Sequence, residues 1–336
     1  MADSIQERVL ASQRPGTRPP QPVSELKQLS LERHLGGPVA LTVCLSALEH
    51  RYSQLGRWYA RLLLDDASGC VPALVWSERL ARCEALRVPA IVSVTGTVVA
   101  YGEQLQIRVE QVRGLEAHEV EIASRLLPRR HTPPAAHGAL EALVAFHARL
   151  RPAVLSRFLD RVLLDPGIAL PWLRCRASQR HHHAYPGGLL VHSVTPLDLV
   201  AQAVVQGGET DPDAIALTQV AYLLHDLGKL RTVGEERPPL GYGLRHEHQT
   251  LVLLEPHLAW LRERWPQGAQ VLDAVLDYCA QPANTRGFAR LAAADAVIAA
   301  DRLSAASERR RSVGWVIPAF AGSATRGVDR SQSAVA

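Results

Sequence analysis

Two short stretches hold residue types that do metal chemistry at a spacing that suits it. Residues 181–192, HHHAYPGGLLVH, set three histidines ahead of a Pro-Gly-Gly turn and a fourth, His192, soon after it. Residues 225–229, HDLGK, then put a His-Asp pair at the end of an apolar run, VAYLLHD, closed by Gly228 and Lys229. His246 in LRHEH and Asp301 in VIAADRLS can complete the set. Imidazoles and carboxylates gathered from separate helices suit a divalent first-row ion, with Mn²⁺ expected and Fe²⁺, Co²⁺ or Mg²⁺ as alternatives. Ca²⁺ prefers all-oxygen shells. Such an ion polarises a phosphoryl oxygen and lowers the pKa of water, which is the chemistry of phosphoester hydrolysis. Asp226 is placed to ligate and to hold the attacking water. Lys229, one of only two lysines in the chain, is placed to meet a phosphate as a compact cation. Gly228 reads as a left-handed helix stop.

The helices that must carry these residues are legible from apolar spacing. From 139 onward the segments ALEALVAFHARL, AVLSRFLDRVLL, LLVHSVTPLDLVAQAVV, DAIALTQVAYLLHDLG, HEHQTLVLLEPHLAWLRERW, GAQVLDAVLDYC and ARLAAADAVIAADRLSAASERRR repeat at i, i+3/i+4. This half is expected to be all-α. His181 and His182 read as solvent-facing or loop positions, and His248 and His257 as surface positions on an amphipathic helix. Arg174, Arg176 and Arg180 offer planar forks for phosphate.

The front half has a different texture. VALTVCLSALEH, WYARLLLDD, CVPALVWS, AIVSVTGTVVAYG and QLQIRVEQV are short apolar or alternating runs, parted by turn signals at DDASG and YGEQ. SERLARCEALR (77–87) reads as a helix after the third strand. Five strands with that insertion follow the order of an OB-fold barrel, which binds single strands by groove and aromatic stacking. Trp58, Tyr59, Trp76 and Tyr101 are the aromatics on offer.

Composition frames these readings. The 336 residues are 47% hydrophobic and 21% charged, as in core-forming proteins, with room for two domains. The start has no secretory pattern, and no later run reads as long and apolar enough to span a bilayer, so a cytoplasmic protein with no membrane partner is expected. Five scattered cysteines without a C-x-x-C pair read as reduced thiols. The net charge of +4 permits a polyanionic partner. Residues 24–120 are about neutral, with ten Arg/Lys against eleven Asp/Glu, whereas residues 121–180 hold ten Arg against four acids. The expected organisation is a disordered 1–23, an OB-fold over 24–120, a linker over 121–139, an all-α domain over 140–312 and a tail over 313–336.

Taken together, WYARLLLDDASGCVPALVW and VSVTGTVVAYGEQLQIRVEQV resemble the OB-fold modules that precede hydrolase domains. Residues 140–305, with G-G-L-x-x-H, H-D-L-G-K and A-D-R-L-S, resemble the HD-domain metal-dependent phosphohydrolases, and most nearly the YhaM-type 3′-to-5′ exoribonucleases. The HHAYPGGLLVH segment also resembles the HD-like region of TraI-type proteins of conjugative elements. The resemblance implies metal ligands at His192, His225, Asp226 and Asp301, with Asp295 as a rival for the last. It implies His246 as a ligand to a second ion and a substrate-facing or supporting role for His183. The family's later His-His-Gly is replaced by DYCAQP (277–282), and Arg245 stands where a Gly usually precedes His246. The expected function is metal-dependent cleavage of single-stranded RNA or DNA, with Trp58, Trp76, Tyr101, Arg176 and Arg180 on the nucleic acid. Hydrolysis of nucleotides or signalling nucleotides, or non-catalytic binding, are the alternatives, and homo-oligomerisation is left open.

Overall fold

The computed structural model describes residues 21–313 apart from 78–82, 84–85, 236–242, 283, 285 and 288–290. Strands β1 (Gln21–Val23), β2 (Pro38–Tyr52), β3 (Trp58–Asp65), β4 (Cys70–Trp76), β5 (Ala90–Tyr101) and β6 (Gln104–Gly114) form one sheet ordered β1-β2-β3-β4-β6-β5. β2 also pairs with β5, from Pro38↔Thr97 to Leu45↔Ala90, so five strands close on themselves. The long β2 does this by pairing with β5 along its first half and with β3 along its second, shifting register between Leu45 and Ala47. β4 and β6 run parallel, and the order is that of an OB-fold barrel. Period-2 burial puts Val39, Leu41, Val43, Leu62, Leu64, Val92, Val94, Ile107 and Val109 inside. Gly96 sits at the register shift of β5 because a Cβ there would lie 2.4 Å from Arg108 O.

Residues 21–23, expected to be disordered, form β1 in parallel register with Val39–Leu41. Residues 1–20, most of the expected 77–87 helix and the tail past 313 lie outside the described residues. A four-residue helix, α1 (Leu31–His34), leads into β2.

The second half is helical: α2 (His137–Arg149), α3 (Ala153–Leu164), α4 (Ala169–Arg174), α5 (Gly188–Val194), α6 (Leu197–Gln206), α7 (Pro212–Leu224), α8 (Lys229–Thr232), α9 (His246–Arg264), α10 (Pro266–Ala280) and α11 (Ala292–Val313). α7 is the central element, with Leu217, Val220, Ala221, Tyr222, Leu223 and Leu224 all buried and α6, α10 and α11 packed around it. Asp211 caps its start by accepting from Asp213 N–H at 3.0 Å, and Pro212 opens the first turn. The stretch Gly188–Gln206, not singled out from the sequence, is long and apolar enough to cross a membrane, with mean hydropathy 1.5. Here it breaks into α5 and α6, and 56% of it is buried inside the bundle, as in a core helix.

The expected linker is part of the core. Residues 123–126, 129–131 and 134–136 form 3₁₀ turns, and Ala123, Leu126, Leu127 and Ala136 join the helical core. The prolines that read as loop set the turns. This segment also holds the barrel. Ala67, in the β3–β4 turn, is buried with the helical cluster, and its N–H donates to Arg125 O at 2.8 Å. Arg129 N–H donates to Asp66 O at 2.9 Å, and its guanidinium meets Ala67 O at 3.3 Å. On the other side Asp66 Oδ2 accepts from Leu26 N–H at 2.6 Å, while Oδ1 accepts from Ser68 N–H and Gly69 N–H. Buried His147 fixes the same segment to α2, with Nδ1 3.0 Å from Ser124 Oγ and Nε2–H donating to Ser156 O at 3.2 Å. Asp160 accepts from Ala123 N–H at 2.7 Å. Cys44, Cys70, Cys175 and Cys279 form no disulfide.

Candidate metal centre

Four side chains converge at the end of α7. His192 comes from α5, His225 and Asp226 follow the last turn of α7, and Asp301 comes from α11. One ligand atom from each lies within 4.8 Å of all the others. His192 Nε2 is 3.2 Å from both Asp226 Oδ2 and Asp301 Oδ1, and His225 Nε2 is 3.5 and 3.8 Å from the same oxygens. Among the described residues neither Nε2 has a hydrogen-bond partner, although both are out of solvent.

The opposite ring nitrogens are held by the protein. His225 Nδ1–H donates to Tyr222 O at 2.6 Å, which turns Nε2 toward the carboxylates. His192 Nδ1 lies 3.2 Å from Ser304 Oγ, and Tyr222 O–H donates to His192 O. Burial alone would lower the His225 pKa, yet Asp226 and Asp301 outweigh it and hold it at about 9. The charges of His225 and Lys229 in turn hold Asp226 well below the usual carboxylate range against its own burial. His192 and His225 do the same for Asp301. Two oriented imidazoles, two ionised carboxylates and two orphaned buried nitrogens fit a divalent first-row ion.

Other expected residues fall at different distances from this set. Lys229 Nζ is 2.5 Å from Asp226 Oδ2, so its charge is engaged by a ligand carboxylate. His246, at the start of α9, faces the other oxygen of Asp226, with Nε2 3.2 Å from Oδ1, and stands outside the four-residue set. Among the described residues no second group of three such ligands forms. Over the DYCAQP stretch, Arg245 and Arg286 donate to the carbonyls of Cys279, Ala280 and Gln281 at the end of α10. Asp295 is exposed and accepts from Tyr278 O–H at 3.2 Å, so Asp301 is the aspartate of α11 that enters the set.

His183 is buried at φ 49°, with Nδ1 3.0 Å from Tyr185 Oη. His181 is exposed, whereas both ring nitrogens of His182 are out of solvent. His257 is buried, not on the surface, with Nε2 3.1 Å from Asp165 Oδ2. Arg174, at the end of α4, and Arg176 and Arg180, on the loop before the histidine run, are exposed. On the barrel, Trp58 packs edge-on against Tyr52 (5.1 Å), and both are exposed at the β2–β3 hairpin. Tyr101 is exposed at the β5–β6 hairpin, and Trp76 packs on Tyr59 at 5.5 Å.

Gly228 is not a left-handed stop. Its φ of −61° and ψ of −16° are right-handed, and a Cβ would lie 1.8 Å from His246 O. Glycine is needed because α9 crosses there. Thr250 of α9 fastens the crossing: its Oγ1 accepts from Gly228 N–H at 2.9 Å and donates to His225 O at 2.8 Å. Tyr222, Ser304 and Thr250 were not expected. Tyr222 and Ser304 each lie three residues from a ligand on its own helix face, a spacing that points to them.

No protein-family model matches the chain. The chain is similar to the PriB protein of Ralstonia solanacearum at 16% identity and TM-score 0.21, over 23% of this chain and 97% of that one. It is similar to the second OB-fold domain of replication protein A from Methanococcus maripaludis at 19% identity and TM-score 0.22, over 29% and 96%. Asparaginyl-tRNA synthetase of Entamoeba histolytica aligns at 14% identity and TM-score 0.24, over 43% of this chain and 36% of that one.

Proposed function

We propose that this protein is a divalent-metal-dependent phosphodiesterase of single-stranded nucleic acid, working in the manner of a 3′-to-5′ exoribonuclease. The observation that carries the reading is the convergence of His192, His225, Asp226 and Asp301 with both imidazole Nε2 atoms buried and without a hydrogen-bond partner among the described residues. Those four residues would hold the ion. When bound, it supplies Lewis-acid polarisation of a phosphoryl oxygen and a water of lowered pKa. The chain's own groups do the rest. Tyr222 O and Ser304 Oγ hold the two rings in their ligating orientation. Lys229 keeps Asp226 ionised in a buried site, which makes it a positioning residue. The barrel's strand order and the exposed Tyr52, Trp58 and Tyr101 support delivery of a single strand by stacking.

A second reading, hydrolysis of a nucleotide or signalling nucleotide at one ion, is favoured by His246 on the Oδ1 side of Asp226 being joined by no second ligand group among the described residues. Both readings are tested on purified protein by metal content and by incubation with labelled single-stranded RNA, single-stranded DNA and nucleotides in Mn²⁺. Stepwise shortening of a strand, lost in His225→Ala, is the expected result. Turnover of nucleotides alone selects the second reading. Strand degradation that persists in His225→Ala removes the first.

A further inference from the structure

The loop carrying the histidine run is folded into one shape by its own backbone. Ala177 N–H donates to His183 O at 3.1 Å, Gly187 N–H to Arg174 O at 2.9 Å and Leu189 N–H to Cys175 O at 2.9 Å. Ser178 Oγ–H donates to His182 O at 2.8 Å. His183 takes a left-handed φ, and a Cβ on Gly188 would lie 2.1 Å from His183 O, so the turn and the start of α5 interlock. The result sets two more imidazoles beside His192, with the rings of His182 and His183 centred 5.4 and 5.7 Å from it.

The two rings differ in what they touch. His183 is engaged by the Tyr185 hydroxyl. His182 has Nδ1 and Nε2 both shielded from water, and neither has a hydrogen-bond partner among the described residues. It is also not one of the four residues whose ligand atoms cluster. Buried polar atoms without partners are uncommon because each loses its hydration without return. An imidazole left in that condition at the edge of a ligand set points to a polar group brought in from outside the chain. Phosphoryl oxygens are acceptors, and an imidazole carries at least one N–H in either charge state.

We propose that His182 contacts the substrate, donating a hydrogen bond from its ring to a non-bridging oxygen of the phosphoryl group presented to the His192–His225–Asp226–Asp301 set. The assignment rests on the reading of that set as a phosphoester-hydrolysing metal centre. It makes His182, rather than the neighbouring His183, the substrate-facing member of the run.

Inorganic phosphate is the probe, titrated calorimetrically into the full chain loaded with Mn²⁺. The parent, His182→Phe and His182→Gln are compared, and Mn²⁺ stoichiometry and affinity are measured on the same samples. Phenylalanine keeps a ring and removes the donors, whereas glutamine keeps a donor. His182→Phe is expected to bind phosphate about tenfold more weakly or worse, His182→Gln to stay within about threefold of the parent, and Mn²⁺ binding to be equal in all three. Unchanged phosphate binding in His182→Phe overturns the assignment and leaves the metal-centre reading standing. Loss of Mn²⁺ binding in step with phosphate binding makes His182 a ligand or a support of the loop and overturns it as well. A parent protein that takes up no Mn²⁺ overturns the metal-centre reading, and this contact with it.

Discussion

Replacing Thr250 by valine tests whether the turn after α7 is held by the hydroxyl that bridges it to α9. Valine matches threonine in shape, so the packing volume stays and the oxygen goes. Two main-chain groups then lose their partner in a buried place: Gly228 N–H, now 2.9 Å from Oγ1, and His225 C=O, which accepts from it at 2.8 Å. A buried polar group stripped of its partner costs about 1–3 kcal/mol, so the pair amounts to about 2–6 kcal/mol. For a chain of this size that corresponds to a fall of about 3–9 °C in the unfolding midpoint. Urea unfolding should show a lower midpoint at unchanged slope. Because His225 and Asp226 sit on the loosened turn, Mn²⁺ affinity should fall about tenfold or more, as when a metal ligand loses its support. Thr250→Ser, which keeps the hydroxyl, should recover most of both. A valine variant within about 0.5 kcal/mol of the parent, with parental Mn²⁺ affinity, would refute the bridge as the device that sets the ligand turn.

Gly228 and His147 give two independent checks. Alanine at 228 brings a carbon against His246 O and Thr250 N, 1.8 and 2.5 Å from its ideal position, so α9 must shift; a loss of about 3 kcal/mol is expected in urea unfolding. Asparagine there should be worse still, whereas a left-handed stop would have favoured asparagine over alanine. Burial pushes the His147 pKa down to about 4, with the positive charge of Arg125 adding to the effect. The folded form therefore resists a proton that the unfolded chain takes up near 6.5. Stability is full above pH 6.5 and declines as pH falls toward 4, by up to about 3 kcal/mol at 1.36 kcal/mol per unit. Asp160, 3.5 Å away and shifted upward by its own burial, works in the opposite sense at the acid end. Stability measured from pH 7 to 4 in the parent and in His147→Gln should diverge, with the parent steeper; parallel profiles would count against a buried neutral imidazole.

The parts of this molecule that could be read along the chain are those fixed by local periodicity or residue type. Alternating apolar residues marked β2 to β6, and 3.6-residue spacing marked α7 and α11, so His225, Asp226 and Asp301 fell at helix ends and faces that converge. What escaped depends on partners distant in sequence. The 21–23 strand exists because Val39–Leu41 offers it a parallel edge. Proline-rich 123–136 looked like a loop because burial of Leu126, Leu127 and Ala136 follows no repeat. His257 looked exposed on an amphipathic helix, yet it pairs with an aspartate ninety-two residues away. Gly228 was recognised as special for the wrong reason, since the crossing of α9 has no signature near position 228.

The grip on the β3–β4 turn bears on how this protein can be taken apart. Arg125 and Arg129 from one side and Leu26 from the other hold Asp66 and Ala67, and Ala67 is counted among the helical core. A boundary drawn through 121–139 would therefore not release two modules. It would strip the helical half of packed turns and leave the barrel with unmatched main-chain groups at its buried β3–β4 turn. Fragments meant to test the proposed strand binding apart from the proposed hydrolysis should keep 120–136 with the helices and alter the turn surface of the barrel, or work by substitution within the intact chain. By the same logic, an unrelated barrel could replace this one only by bringing a turn of the same shape.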